Sequence, residues 1–312
     1  MVKCNICGSP AVPIEVTEQM LGFKEKFIYN QCTNCGHTHI NSFPGNIEKY
    51  YNSKEYYSFS KQKSLNILKV DNTTFKTWVK KILLQLHLKK NMFFSAAMKA
   101  FLTIKRINKK QKILDYGCGA GKFVKELIEA GFVNTRGYDL FLPEKIEING
   151  EAYLSDNLSD FKNKSWDIIT LNHVFEHVPD PVELLKDLKK ILPPGGKLLL
   201  RFPVIDSFAF EKYKENWVQF DAPRHINLFT RKSIKLAIQK AGDFIIEGLY
   251  DDSFHFQFTG SELYLKNLSL KPEDNNRKKR LLSIDTYRYH LLAKKLNEQN
   301  KGDQIVVILE RK

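Results

Sequence analysis

An α/β fold with a mostly parallel sheet is what this sequence predicts, and three observations predict it. The run ILDYGCGAGKF at 113–123 sets an apolar strand before glycines at 117, 119 and 121, and an amphipathic pattern after them. Such a strand, glycine turn and helix start lets backbone N–H groups approach a ligand closely. GYDL then places Asp139 at the end of another short strand, 18 residues past Gly121. From Gln111 to about Tyr250, short apolar strands alternate with amphipathic helices such as KFVKELIEAGF and PVELLKDLKKIL. That alternation means parallel strands, right-handed crossovers and a ligand outside the carboxyl ends of the strands.

The chain opens with a separate small unit, residues 1–45. It holds Cys4-Asn5-Ile6-Cys7-Gly8 and Cys32-Thr33-Asn34-Cys35-Gly36, two CxxCG knuckles 24 residues apart. Between them EKFIYNQC alternates like a strand entering the second knuckle. Two such hairpins place Cys4, Cys7, Cys32 and Cys35 tetrahedrally about one zinc ion, a zinc ribbon. Glycine after each pair permits a left-handed turn that aims amides at the sulfurs. A redox pair, or a Cys3His site using His37 or His39, accounts less well for two symmetrical knuckles. The unit has few large apolar residues, so structural zinc, at about 10–16 kcal/mol of apparent binding, is expected to hold it together. Four protein ligands leave no open position for chemistry.

Residues 46–110 read as a basic amphipathic helical linker. WVKKILLQLHLKK and MFFSAAMKAFLTIKRI repeat apolar positions at three and four with lysines between. The stretch 72–114 carries 11 Lys or Arg and no acidic residue, and with RKKR at 277–280 it explains much of the +14 net charge. A polyanion (nucleic acid, an anionic membrane surface or a phosphorylated substrate) suits such charge, and so does a solvated helical face. A hydrophobic fraction of 43% excludes a disordered chain. No apolar run approaches the ~18–20 residues that span a bilayer. MVKCNICGSP has no hydrophobic signal segment, so a reducing cytoplasm is expected.

The glycine spacing is G-x-G-x-G, tighter than the dinucleotide G-x-G-x-x-G, and Asp115 before it suits an amino group better than a pyrophosphate. With GYDL, SDNL at 155–158, WDIITLNHVFEHVPDP at 166–181 and PPGGKLLLRFPV at 193–204, the chain resembles class I S-adenosylmethionine-dependent methyltransferases. The resemblance runs from about residue 110 to the C-terminus. It implies a Rossmann-like sheet of seven strands, mostly parallel with the last antiparallel, over 111–312. Strands at 243–252 and 304–311 would complete it, with substrate-loop insertions near 205–230 and 251–303. It implies cofactor contacts from Asp115, Gly117, Cys118, Gly119 and Gly121, ribose binding by Asp139 beside Leu140, and adenine binding by Asp156 and Asn157. Asn172 and His173 would line the cofactor's rim.

Methyl transfer from a sulfonium is an in-line displacement, so positioning supplies ~7–11 kcal/mol and a general base a further ~10²–10⁴-fold. His177 and Glu176 follow the fourth strand and are base candidates; the alternative is that His177 only caps the loop. His173, Glu176 and His177 also match H-x-x-E-H, yet the prolines at 179 and 181 exclude the long helix that a zinc peptidase needs. In DSFAFEKYKENWVQFDAPRHINLFT, His225 is an equal base candidate, while Trp217 and Arg224 offer stacking and charge to an acceptor. A salt bridge to Asp221 or Glu215 is the alternative for Arg224. QFTGSELY at 257–264 is expected to close over the acceptor.

The segments PRH and GSELY, with the cysteine pairs, are similar to those of sugar-modifying methyltransferases. That similarity implies O-methylation of a sugar, a glycan intermediate or another small hydroxylated acceptor. An RNA methyltransferase using the ribbon and basic helices is the competing reading. A non-catalytic binding module is the third, and intact Asp115, Asp139 and Asp156 argue against it.

Overall fold

A computed structural model describes residues 2–51, 94–142, 144–148, 151–271 and 284–312. Two sheets organise them. In the first, β1 (Ala11–Thr17), β2 (Lys26–Cys32) and β3 (Thr38–Ile40) form an antiparallel meander beside the cysteine knuckles. The second is built from β4 (Ile113–Tyr116), β5 (Thr135–Tyr138), β6 (Ile146–Ile148), β7 (Glu151–Ser155), β8 (Ile168–Asn172) and β9 (Lys197–Pro203), joined by β11 (Phe244–Asp251) and β12 (Gln304–Arg311). The remaining strand, β10 (Asn227–Leu228), leaves this part of the chain and pairs with β3. The small sheet therefore crosses the boundary expected at residue 45.

The large sheet has the order β11-β12-β9-β8-β4-β5-β7-β6. Neighbours from β9 to β7 are parallel, and β12 runs antiparallel between β9 and β11. The expected seven strands become eight. The addition is β6, three residues paired antiparallel to β7 at the sheet's far edge, too short to leave a period in the sequence.

The parallel centre forms because its strands are apolar on both faces. All seven residues of β9 are buried. Leu198, Leu200 and Phe202 face Leu185 and Leu188 of α1 (Pro181–Lys190) and Ile234 and Ile238 of α2 (Arg231–Ala241). The intervening Leu199 faces the other way, toward Met98, Phe101, Phe123 and Leu127. Local signals set the helix starts. Asp180 caps α1 ahead of Pro181, and Thr230 and Ser233 form a reciprocal box on α2.

Most of the basic linker (52–93) and the RKKR cluster lie outside the described residues. Of the linker, a short helix at Ala96–Phe101 is described, capped by Ser95. Among the described residues, no helix is long and apolar enough to cross a membrane.

A third core joins the small sheet to the connection after β9. Val16, Tyr29 and Ile40 pack with Trp217, Phe220, Ile226 and Leu228. Trp217 is wholly buried, and its Nε1 donates to Asp303 Oδ2 at 3.0 Å. It presents no face to an acceptor, which corrects the expected stacking role. Burial pushes the Asp303 carboxyl up to about 6, against the indole hydrogen bond that lowers it. Trp217→Phe removes one of the hydrogen bonds to that buried carboxyl and leaves Ser253, so a loss of roughly 1–3 kcal/mol is expected, measured by urea unfolding at neutral pH. An unchanged midpoint would remove the bond from the account of this core.

Candidate active site

β4, β5, β7 and β8 end on the same edge of the sheet, and the expected cofactor residues follow those ends. Gly117 (φ +80°), Gly119 (+53°) and Gly121 (+75°) all lie in the left-handed region. The turn is tied to β5, since the N–H groups of Gly117 and Cys118 both donate to Tyr138 O, at 2.7 and 2.9 Å. A Cβ on Gly117 would stand 2.2 Å from Val174 Cγ2, so the close approach to the loop after β8 requires glycine. Cys118 is buried against β5, and burial pushes its thiol well above the usual range. It serves as a small packing residue of the loop rather than a thiolate.

Asp115 is 2% exposed and accepts a 2.7 Å hydrogen bond from Thr170 Oγ1, a partner not foreseen from the sequence. Burial raises its carboxyl to about 7, outweighing that bond. Beside it lies the buried side-chain amide of Asn172, which also holds the Asp115 carboxyl down. Asp139 accepts from Gly119 N at 2.7 Å through Oδ2 and from Phe141 N at 2.9 Å through Oδ1. Burial raises it also, against those two bonds. Leu140 and Phe141 follow, both exposed, and Phe141 stacks on Tyr51 at 5.1 Å between centroids. Asp156 is exposed beyond β7, whereas the Asn157 carbonyl takes up Ser159 N and Oγ at 3.0 and 2.8 Å and caps the next turn.

A buried carboxylate raised by desolvation, a buried amide beside it and a glycine cradle suit S-adenosylmethionine. A ligand ammonium near Asp115 would return it to the ionised form. Without ligand that ionisation opposes folding. The unfolded carboxyl titrates near 3.8 and the folded one near 7, so stability declines as pH rises between them and then levels. Asp115→Asn is therefore expected to raise the apo melting temperature at pH 8, with the gain shrinking toward pH 4, while cofactor affinity falls. Thermal unfolding across that range checks the sign; a gain that grows toward acid would refute it.

On the acceptor side, His173 sits at φ +54° with its ring between two partners. Arg201 Nη1 meets its Nε2 at 2.9 Å, and Glu176 Oε1 lies 3.2 Å from its Nδ1. Arg201 can only donate, so Nδ1 carries the hydrogen and donates to Glu176. The ring expected at the cofactor's rim is thus held within the protein. Glu176 is wholly buried, and burial would raise it. The His173 hydrogen bond and the charges of His177, His173 and His225 reverse this and hold it at about 2.

His177 and His225 meet edge to face, 4.8 Å between centroids. Nδ1 of His177 lies 2.8 Å from Arg224 O and 3.2 Å from Tyr51 Oη. Burial, reinforced by His225, pushes this ring down to about 4. Nδ1 of His225 lies 2.7 Å from Gln219 O. Its Nε2 is 3.5 Å from Asp221 Oδ2 and 3.9 Å from Glu176 Oε1.

Arg224 is 3% exposed and ion-paired with Asp221, so its charge is neutralised inside the protein. The Asp221 pairing replaces the acceptor-binding role expected for this arginine. Of GSELY, Ser261 is buried, accepting from Val218 N at 2.9 Å and donating to Gln257 O at 2.7 Å, which fastens the two connections together.

The four cysteines of the knuckles converge. Sγ atoms of Cys4 and Cys35 are 3.7 Å apart, those of Cys7 and Cys32 3.4 Å, and all four lie within 4.8 Å of one another. Gly8 and Gly36 are left-handed at +76° and +71°. Cys7, Asn34 and Cys35 amides point at sulfurs, at 3.5, 3.4 and 3.4 Å. His37 and His39 stand outside this group; His37 Nε2 instead meets Asn227 Oδ1 at 3.0 Å.

Sequence comparison locates the chemistry within this frame. A family model described as a methyltransferase domain matches residues 88–244. The ubiquinone biosynthesis O-methyltransferase of Idiomarina loihiensis is 32% identical over 99 residues, covering 28% of this chain and 40% of that protein. Its counterpart from Nitrosococcus oceani is 33% identical over 99 residues, covering 28% and 42%. The chain thus spans about two fifths of the length of the curated relatives it matches. Among solved structures, an S-adenosylmethionine-dependent methyltransferase from Mesorhizobium loti aligns at 16% identity over 70% of this chain and 98% of that chain, TM-score 0.43. A cyclopropane synthase from Mycobacterium tuberculosis aligns at 17% over 87% and 100%, TM-score 0.44. With the family model covering the glycine loop, Asp115, Asp139 and the Glu176–His177 loop alike, the chain belongs to the class I S-adenosylmethionine-dependent methyltransferases.

Proposed function

We propose that this protein methylates an oxygen of a small hydroxylated acceptor, a sugar or glycan intermediate, using S-adenosylmethionine. The observation that carries the reading is the Glu176–His177–His225 cluster, which begins four residues beyond Asn172, the buried amide beside Asp115. Bound S-adenosylmethionine supplies an electrophilic methyl group on a sulfonium, so displacement needs no covalent protein intermediate. Asp115 and Asn172 would hold its amino-acid end, Asp139 the ribose hydroxyls and Asp156, beside Leu140 and Phe141, the adenine. A hydroxyl acceptor must lose its proton. The rings of His177 and His225, beside Glu176, are the proposed bases. Oxygen is favoured as the methylated atom because the ubiquinone biosynthesis relatives are named O-methyltransferases.

The four-cysteine cluster is proposed to bind one structural zinc ion, as its all-sulfur donor set suits that metal. Its part in function is then positional. β10 pairs with β3, Thr230 Oγ1 donates to Cys35 O at 2.6 Å, and Tyr29 Oη donates to His225 O at 3.0 Å. The ribbon thereby holds the connection that carries His225.

The test is transfer of a radiolabelled methyl group into fractionated cell extract, with His225→Gln beside the wild type. Label in a ribonuclease-resistant small-molecule or glycan fraction, reduced ~10²–10⁴-fold in the variant, is the expected result. Label lost on ribonuclease treatment would establish the RNA reading in its place.

A further inference from the structure

We propose that Glu176, His177 and His225 form a binding site for a divalent first-row transition-metal ion, distinct from the four-cysteine cluster. Backbone carbonyls can only accept, so the contacts of His177 Nδ1 to Arg224 O (2.8 Å) and of His225 Nδ1 to Gln219 O (2.7 Å) place the hydrogen of each ring on Nδ1. In its neutral form each ring then leaves a lone pair on Nε2. Glu176 Oε1 is occupied by His173, whereas Oε2 is buried with no partner. One candidate ligand atom from each of the three residues lies within 4.8 Å of the others.

A proton does not resolve this arrangement. From His225 Nε2, Asp221 Oδ2 at 3.5 Å and Glu176 Oε1 at 3.9 Å are too distant for good hydrogen bonds. Arg224, the adjacent cation, is already engaged by Asp221. One ring nitrogen of each histidine and a carboxylate oxygen of Glu176 come together, and each imidazole donates its Nδ1–H to a backbone carbonyl. Metal-bound histidines are oriented in that manner. Two nitrogens and one oxygen suit Zn²⁺, Fe²⁺ or Co²⁺ over Mg²⁺ or Ca²⁺, which prefer all-oxygen sites. Three protein ligands leave a position open. The set is not the one in the H-x-x-E-H pattern, since His173 is turned to Arg201 and its place is taken by His225, 48 residues along the chain from His177.

The purpose assigned to the ion rests on the acceptor-side reading above. With an ion bound, the two rings are ligands, and the acceptor hydroxyl is acidified by the ion's charge instead of by a free imidazole. The binding itself stands on geometry alone.

The test is calorimetric titration of the full-length chain with Zn²⁺, the content of the cysteine cluster being fixed first at one zinc per chain by elemental analysis. A second equivalent is expected in the wild type. Losing a ligand should weaken it by at least the ~10–100-fold seen on losing an outer-shell partner, in both His225→Ala and Glu176→Gln. His225→Cys, which keeps a donor, should retain it. Binding of S-adenosylhomocysteine reports that each variant is folded. No second equivalent in the wild type, or equal affinity in His225→Ala, would overturn the site. A wild type that takes the second ion yet binds no S-adenosylhomocysteine would support the metal site and defeat the methyltransferase reading of its purpose.

Discussion

Cys32→Ser is expected to abolish metal uptake at the four-cysteine cluster and to unfold the small sheet. Strands β1 to β3 bury few large side chains of their own, Tyr29 and Val16 among them, and a sheet of that size is marginal without a staple. A bound zinc would contribute about 10–16 kcal/mol of apparent binding, comparable to the usual 5–15 kcal/mol of net stability for a whole domain. Cys32 Sγ also accepts from two backbone amides, those of Asn34 and Cys35, and serine would shorten the reach to both. The damage should travel. Unpairing β3 from β10 loosens the connection that carries His225, whereas Asp115, Asp139 and Asn172 stand on the other sheet. Methyl transfer should therefore collapse while binding of S-adenosylhomocysteine falls by less than tenfold. Elemental analysis, limited proteolysis at 1–45 and calorimetry read the three effects separately. A variant that retains one zinc per chain and resists proteolysis would show that the thiolates do not hold the unit together.

Asp139→Ala is expected to cost the cofactor site roughly 10²–10⁴-fold in affinity. Hydrogen bonds to a charged group are worth about 1.5–3 kcal/mol each, and two ribose hydroxyls would make about 3–6 kcal/mol, which converts to that range. The Asp139 oxygens already accept from Gly119 N and Phe141 N. A carboxylate has further lone pairs for two hydroxyls, so these roles are compatible. Alanine removes both sets of bonds and releases the glycine turn as well. Asp139→Asn keeps one acceptor oxygen and should fall between. Calorimetry with S-adenosylhomocysteine, alongside circular dichroism to show folding, decides it. An affinity within threefold of wild type would end the ribose assignment.

The glycine turn and the acids beside it were legible because their signals are local. An apolar strand, three glycines and an acid after the next strand sit within 27 residues, from Ile113 to Asp139, and left-handed φ values at 117, 119 and 121 are what glycine permits at least cost. The convergence of the four cysteines was legible for a like reason, the two CxxC pairs being written in local spacing. Trp217 and Arg224 were misplaced because an aromatic or a guanidinium in a long connection reads equally as lid or core. The difference lay in Asp303, 86 residues from Trp217, and in Asp221, whose pairing with Arg224 closed only when the DAPRH turn folded. β6 and β10, three and two residues long, carry no period that could announce them.

By itself, then, the sequence determined the class of the fold, the glycine turn and the four-cysteine cluster, since each is written in spacing along the chain. Tertiary structure decided that β10 joins the small sheet and that Trp217 is core. It also set His177 and His225 edge to face over a buried Glu176. Those outcomes depend on which distant surfaces exclude water together, and side-chain burial and shape complementarity have no period in sequence.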